Sequence, residues 1–177
     1  MRGLRTGLRT GLRVLIIGIN YRPELTAVGP YTAGLAEHLA ARGDRVTVIT
    51  GLPHYPDWRI ARGTPRTLVR EETIHGVTVI RGAHYVPATQ SALRRALYEA
   101  TFGLTALLAS LRLPRPDAIL GVVPTLSGGV LARLTGERLR APYGLLFQDL
   151  MGQAARQSGM AGGGAPARAT ATAASNE

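Results

Sequence analysis

The sequence predicts an α/β fold: a Rossmann-like, doubly wound and mostly parallel sheet. Three observations carry this. Continuous apolar runs of strand length recur as "RVLIIGI" (13–19), "RVTVIT" (45–50) and "DAILGVV" (117–123), the kind of strand that is buried on both faces of a parallel sheet. Helix-patterned segments separate them. The stretch from Gly18 to Thr50 also reads as one βαβ unit, with a glycine-bearing loop, a helix and a returning strand.

The elements follow in order. Residues 1–12, "MRGLRTGLRTGL", hold a short tandem repeat and read as a disordered basic arm. After the first strand and a loop, Gly29-Pro30 opens a helix, with glycine tolerated at the cap and proline favoured at the first helical position. Leu35, Leu39 and intervening alanines give that helix an apolar face, and Gly43 ends it as a C′ glycine. Residues 51–67, rich in Pro, Gly and Arg, read as a long loop, and 68–82 as a β-hairpin or two edge strands turning at His75-Gly76. Leu93, Leu97, Leu104, Leu107, Leu108 and Leu111 recur at helical spacing and predict a helix over 91–112 with the leucines as its core face. After the strand at 117–123 come a helix over about 127–139, a strand "YGLLFQ" (143–148) and a helix start at 150–157. The organised domain spans 13–158, and from Gly159 to Glu177 a Gly/Ala-rich tail offers little to bury.

Composition narrows the function. The 177 residues suffice for one domain with a real core. Cysteine is absent, which excludes disulfides and thiolate chemistry and fits a reducing cytoplasm. The net charge is +10, all of the 21 basic residues are arginine, and four of them (Arg2, Arg5, Arg9, Arg13) fall near the N-terminus. Such a surface suits nucleic acid, anionic lipid or phosphorylated substrates. Dispersed arginines and an aromatic content of only 5% argue against nucleic acid. No apolar run approaches the ~20 residues of a membrane span.

In a doubly wound fold, ligands sit beyond the C-terminal ends of the strands. The candidate rim is therefore Gly18–Gly29, Thr50–Trp58, Val123–Gly129 and Gln148–Met151. The first loop lacks G-x-G-x-x-G, and no acidic residue ends the second strand, which disfavours a nicotinamide cofactor. With no lysine, a Walker-type loop is excluded. The Gly29-Pro30 helix start leaves backbone N–H groups facing the rim, suited to a phosphate or a sugar hydroxyl; a plain structural cap is the alternative. The four histidines (38, 54, 75 and 84) lack metal-ligand spacing, so no metal site is expected. His54, in "GLPHYPDW", is either a ligand contact or loop packing. Asp149 follows a strand at the rim, either as a carboxylate for proton uptake and hydroxyl binding or as an N-cap.

Taken together, "NYRPELTAVGPYT", "PHYPDW" and "FQDL" resemble the N-terminal domain of glycosyltransferase family 4, in the branch of colanic-acid and other exopolysaccharide enzymes, over roughly 13–160. The resemblance implies the N-terminal half of a GT-B fold, whose two Rossmann-like domains flank a cleft. It implies a bacterial enzyme that transfers a sugar, with retained configuration and without metal, from a nucleotide-sugar to a saccharide or lipid-linked acceptor. Carried onto this chain, it makes Gly29 and Tyr31 donor-phosphate contacts, His54, Tyr55 and Tyr21 acceptor contacts, and Gln148 and Asp149 the catalytic strand end. Many relatives carry histidine where this chain has Gln148. The C-terminal donor domain is missing from these residues, so the expectation is a truncated half, inactive alone, with a separate C-terminal half as its partner. A non-catalytic glycan-binding or interaction module is the alternative. The expected location is the cytoplasm, with peripheral contact at the inner face of the plasma membrane through Arg94, Arg95 and the basic arm.

Overall fold

A computed structural model of the chain describes residues 11–25, 28–65 and 67–147. The elements run β1 (Arg13–Ile17), α1 (Gly29–Ala41), β2 (Arg45–Gly51), β3 (Val69–Ile74), β4 (Val77–Gly82), α2 (Ala92–Ser110), β5 (Ala118–Val123), α3 (Leu126–Leu139) and β6 (Tyr143–Phe147). They form one sheet in the order β3-β4-β2-β1-β5-β6. Every pairing is parallel except the β3–β4 hairpin. Chain order reverses direction across β1, which has β2 on one side and β5 on the other.

The two-residue period of β1 explains why the sheet is covered on both sides. Leu15 and Ile17 join one core with Tyr98, Phe102 and Ala106 of α2 and Leu131 of α3. Val14 and Ile16 face the other way and join Ala33 and Ala36 of α1, with Val46, Val48, Val77 and Val79. Both faces of each central strand are apolar, so the runs read as continuous rather than alternating. The hairpin turns at His75 (φ 48°) and Gly76 (φ 81°). Two left-handed residues in succession are what a tight right-twisted hairpin requires.

α3 lies unusually close to β5. A Cβ on Gly128 would stand 2.2 Å from the Val122 carbonyl oxygen, and one on Gly121 would stand 2.5 Å from that of Gly128. The same economy governs α2: a Cβ on Gly82 would fall 2.4 Å from Thr105 Oγ1.

That closeness corrects the expected orientation of α2. Its buried residues are Tyr98, Phe102, Thr105, Ala106, Ala109 and Ser110. Leu93, Leu97, Leu104, Leu108 and Leu111 face outward, and only Leu107 packs against the core. Threonine and alanine fit where the helix approaches Gly82, and Tyr98 and Phe102 fill the deeper space beyond. Two smaller differences follow from pairing: β1 ends at Ile17 rather than residue 19, although Gly18 N–H still donates to the Ile49 carbonyl at 3.0 Å. Only β3 is an edge strand of the hairpin, because β4 pairs with β2 on its other side. Residues 1–10, the expected helix start at 150–157 and the Gly/Ala-rich tail lie outside the described residues.

Candidate functional site: a braced cleft on the sheet rim

Beyond the C-terminal ends of β1 and β2, the loops at 18–25 and 52–61 meet. A cavity of about 140 Å³ lies between them, lined by Pro23, Glu24, Pro53, His54, Tyr55, Asp57, Arg59 and Ala61. It is well below the ~300–1,000 Å³ typical of complete small-molecule sites. Larger cavities of about 420 and 650 Å³ lie elsewhere, at the opposite sheet edge where β1 and β2 begin and between β3 and the end of α2. Neither touches a rim loop.

Glu24, only 5% exposed, organises the cleft. Its Oε1 accepts the backbone N–H groups of His54 at 2.8 Å and Tyr55 at 2.9 Å, and its Oε2 accepts Asn20 Nδ2 at 2.9 Å. One carboxylate thus ties the second loop to the first. A buried acceptor of this kind satisfies donors that would otherwise be stranded. With its oxygens engaged by three N–H groups, Glu24 serves as a brace rather than a free base.

Arg81 supplies the second brace. It is buried near the end of β4, on the face shared by Val77 and Val79. Its Nε pairs with Glu72 Oε1 at 2.6 Å, and its terminal nitrogens donate to the carbonyls of Gly51, at 3.3 Å, and Arg22. Both rim loops are therefore pinned from β4 as well as from each other.

His54 is 3% exposed beneath the cleft. Its Nδ1 faces the Leu52 carbonyl at 2.8 Å, which can only accept, so Nδ1 carries the proton. Nε2 then accepts the Tyr98 hydroxyl at 2.9 Å. Both ring nitrogens are used within the fold. Around it Trp58, His84 and Tyr98 pack edge to face, with ring centroids 5.9, 4.9 and 5.4 Å from His54. Burial first, and the neighbouring His54 second, lowers the His84 pKa to about 4, against the opposing effect of the Gly82 carbonyl. His84 Nε2 is buried without a partner among the described residues. Burial also pushes the Tyr98 hydroxyl up from its usual range.

The other expected contacts separate into three kinds. Tyr55 lines the cleft, half-buried. Tyr31 is 70% exposed on the first turn of α1. Tyr21 is buried in the α1-side core, and its hydroxyl has no partner among the described residues; burial raises its pKa to about 12. Gly29 begins α1 with no side-chain cap before it, leaving the first-turn N–H groups at the rim as expected of an uncapped start. However, a Cβ on Gly29 would meet the Glu24 carbonyl oxygen at 3.3 Å and Tyr21 N at 3.7 Å. The chain's own loop already accounts for the small residue there. Gln148 and Asp149, which follow β6 in the sequence, lie outside the described residues.

Chemically, the cleft offers a phenol (Tyr55), a carboxylate (Asp57) and a guanidinium (Arg59) over an aromatic floor. That set can hydrogen-bond the hydroxyls of a polar ligand. Glu24, Arg81, His84 and Tyr98 were not singled out from sequence. A signal existed for Arg81, a charge that continues the apolar face of "VTVIRG"; for Glu24 it was only an acid within a proline-bearing loop.

Comparison with known proteins agrees with this architecture. Residues 26–176 match the model of a family described as "Glycosyl transferase 4-like domain". The chain is also 38% identical over 155 residues to "Putative colanic acid biosynthesis glycosyl transferase WcaI" of Escherichia coli (strain K12), an alignment that covers 86% of this chain and 38% of that protein. The chain thus spans well under half the length of the curated relative it matches. The mostly parallel six-stranded sheet with helices on both faces is the Rossmann-like arrangement expected of a GT-B N-terminal domain. On its matched family model and its identity to this relative, the chain belongs to the glycosyl transferase 4-like family.

Proposed function

We propose that the chain is the acceptor-side half of a glycosyltransferase that moves a sugar from a nucleotide-sugar to a saccharide or lipid-linked acceptor in bacterial polysaccharide synthesis. The observation that carries this is the 38% identity, over 86% of the chain, to a protein named as a colanic acid biosynthesis glycosyl transferase. The braced cleft supports the acceptor-side assignment, since its phenol, carboxylate and guanidinium suit sugar hydroxyls. Tyr55 contacts the acceptor directly in this reading, while His54 acts from beneath by holding the loop. The α1 start at Gly29 and Tyr31 faces the donor phosphates, and Gln148 and Asp149 stand at the transferred sugar. The reaction uses the nucleotide-sugar as co-substrate and needs no metal.

A donor-side half, on further polypeptide or on a separate chain, completes the site, and the 177 residues alone turn nothing over. Catalysis requires both substrates to be held together, and the cleft is too small to hold both. The protein works at the inner face of the plasma membrane, attracted by its +10 charge. Among the described residues, no helix is long and apolar enough to cross a membrane.

The test is sugar transfer from a panel of nucleotide-sugars, by the chain alone and joined to the donor-side half of a relative. Transfer only by the joined form is expected. Repeated turnover by the chain alone would overturn the half-enzyme reading. Glycan binding without transfer in the joined form would favour a non-catalytic glycan-binding module.

A further inference from the structure

The cavity of about 420 Å³ where β1 and β2 begin has a polar floor on an otherwise apolar face of the sheet. Farther along the same strands, Ile17, Ile49 and Ile80 on that face belong to the core under α2. By the two-residue period of strands, Arg13, Arg45, Thr47 and Thr78 stand on this α2-side face nearer the strand starts. All four line the cavity. α2 ends at Ser110, and the loop after it contributes Leu113, Pro114 and Pro116 to the lining.

The polar groups of this floor lack protein partners. Arg13 and Arg45 are register partners on adjacent strands, which lie about 4.8 Å apart in a sheet. Both are exposed, and neither guanidinium pairs with an acid among the described residues. Like charges directly opposite on paired strands are destabilising, and a shared anion between them reverses the sign. Thr47 and Thr78 are register partners too, half-buried, and neither hydroxyl has a hydrogen bond among the described residues. Capping of α2 does not explain the arginines. The carbonyls of Leu107, Leu108, Ala109 and Ser110 already accept the N–H groups of residues 111–113, and that of Ser110 also accepts Arg138. The acid in the lining, Asp44, is engaged: its carboxylate accepts the Leu12 N–H and pairs with Arg42.

We propose that this cavity binds a small phosphate monoester, with the phosphate between Arg13 and Arg45 and the organic body against Leu113, Pro114 and Pro116. A dianionic phosphate matches two guanidiniums in charge, and the arginine fork suits its oxygens. The hydroxyls of Thr47 and Thr78 add donors on the same floor. The cavity falls within the ~300–1,000 Å³ of small-molecule sites and is larger than the rim cleft, so it takes more than a bare ion. It lies at the other end of the strands from the rim and is independent of the transferase reading.

The test is isothermal titration calorimetry of the 177-residue chain with phenyl phosphate, inorganic phosphate and benzoate. Phenyl phosphate is expected to bind best, with affinity falling as salt rises. Arg13→Gln and Arg45→Gln should each lower that affinity about tenfold or more, with an unchanged circular dichroism spectrum because both side chains are exposed. Arg62→Gln, an exposed arginine outside the cavity, should leave it unaltered. Amide NMR shifts of Thr47 and Thr78 during the titration locate the ligand in the wild type, should a variant fail to fold. No binding at millimolar phenyl phosphate, or equal binding by the wild type and the folded arginine variants, would overturn the proposal. Shifts confined to the rim loops would overturn it by placing the phosphate in the rim cleft. Equal affinity for benzoate would reduce the ligand to any small anion, and equal affinity for inorganic phosphate would remove the organic body; either result overturns the assigned ligand class.

Discussion

Replacing Glu24 with alanine tests whether one carboxylate holds the cleft together. The substitution strands three donors at once: the backbone N–H groups of His54 and Tyr55 and the side-chain amide of Asn20. Leaving a buried donor unpaired costs about 1–3 kcal/mol. Glu24 borders the cleft, so water can enter the vacated volume and satisfy some of them. The low end of the range is therefore the relevant one, and the total comes to about 3–5 kcal/mol. Against a domain stability of about 5–15 kcal/mol, this is a large fraction. The assay is urea unfolding followed by far-ultraviolet circular dichroism and by fluorescence of Trp58, the only tryptophan in the chain. Trp58 packs on His54 and Tyr98 and so reports on the tied loop. Glu24→Ala should lower the midpoint by both probes, with the Trp58 signal moving first as the loop releases. Glu24→Gln keeps an acceptor for the two backbone N–H groups and should cost about 1 kcal/mol. A loss below about 1 kcal/mol for Glu24→Ala, with both probes still coincident, would refute the bracing role.

Three further outcomes follow from the same contacts. His84 titrates near 4 when folded and near 6.5 when unfolded; between these values the unfolded chain binds a proton that the folded chain excludes. Its contribution is therefore complete above pH 6.5 and is lost as pH falls toward 4, by about 3 kcal/mol at ~1.4 kcal/mol per unit. Urea midpoints across that window should show the slope, and His84→Phe should flatten it; an unchanged slope would rule out His84 as its source. Arg81→Met removes the buried partner of Glu72 and the donors to Gly51 and Arg22. It should cost about 3–5 kcal/mol in thermal unfolding, whereas a wild-type melting temperature would show that the rim does not depend on it. Gly128→Ala puts a Cβ 2.2 Å from a backbone oxygen. α3 must shift from β5, at a cost of about 1–3 kcal/mol or more; unaltered stability would mean that the helix seats less tightly than described.

Local chemistry is what the sequence settled alone. Strand runs, the Gly29-Pro30 helix start, the Gly43 stop and the His75-Gly76 turn are all decided within a few residues, and the observed elements follow them. Alternation of such elements was enough for a doubly wound sheet, and "NYRPELTAVGPYT" with "PHYPDW" was enough for the family. Helical periodicity also showed correctly that five of the six α2 leucines share one face, Leu107 alone packing against the core. It could not show which face turns inward, because that depends on how close the helix lies to the sheet. The approach of Thr105 to Gly82 leaves room for alanine and threonine, with Tyr98 and Phe102 filling the deeper space, and sends the leucines out. The braces of the cleft were equally hidden. Glu24 meets residues 30 and 31 positions away, and Arg81 meets Arg22 across 59. Such pairs exist only once parallel strand order has brought the three loops to one edge of the sheet. Propensity acts over neighbours in the chain, whereas burial and satisfied hydrogen bonds are properties of neighbours in space, and only the tertiary structure decided those.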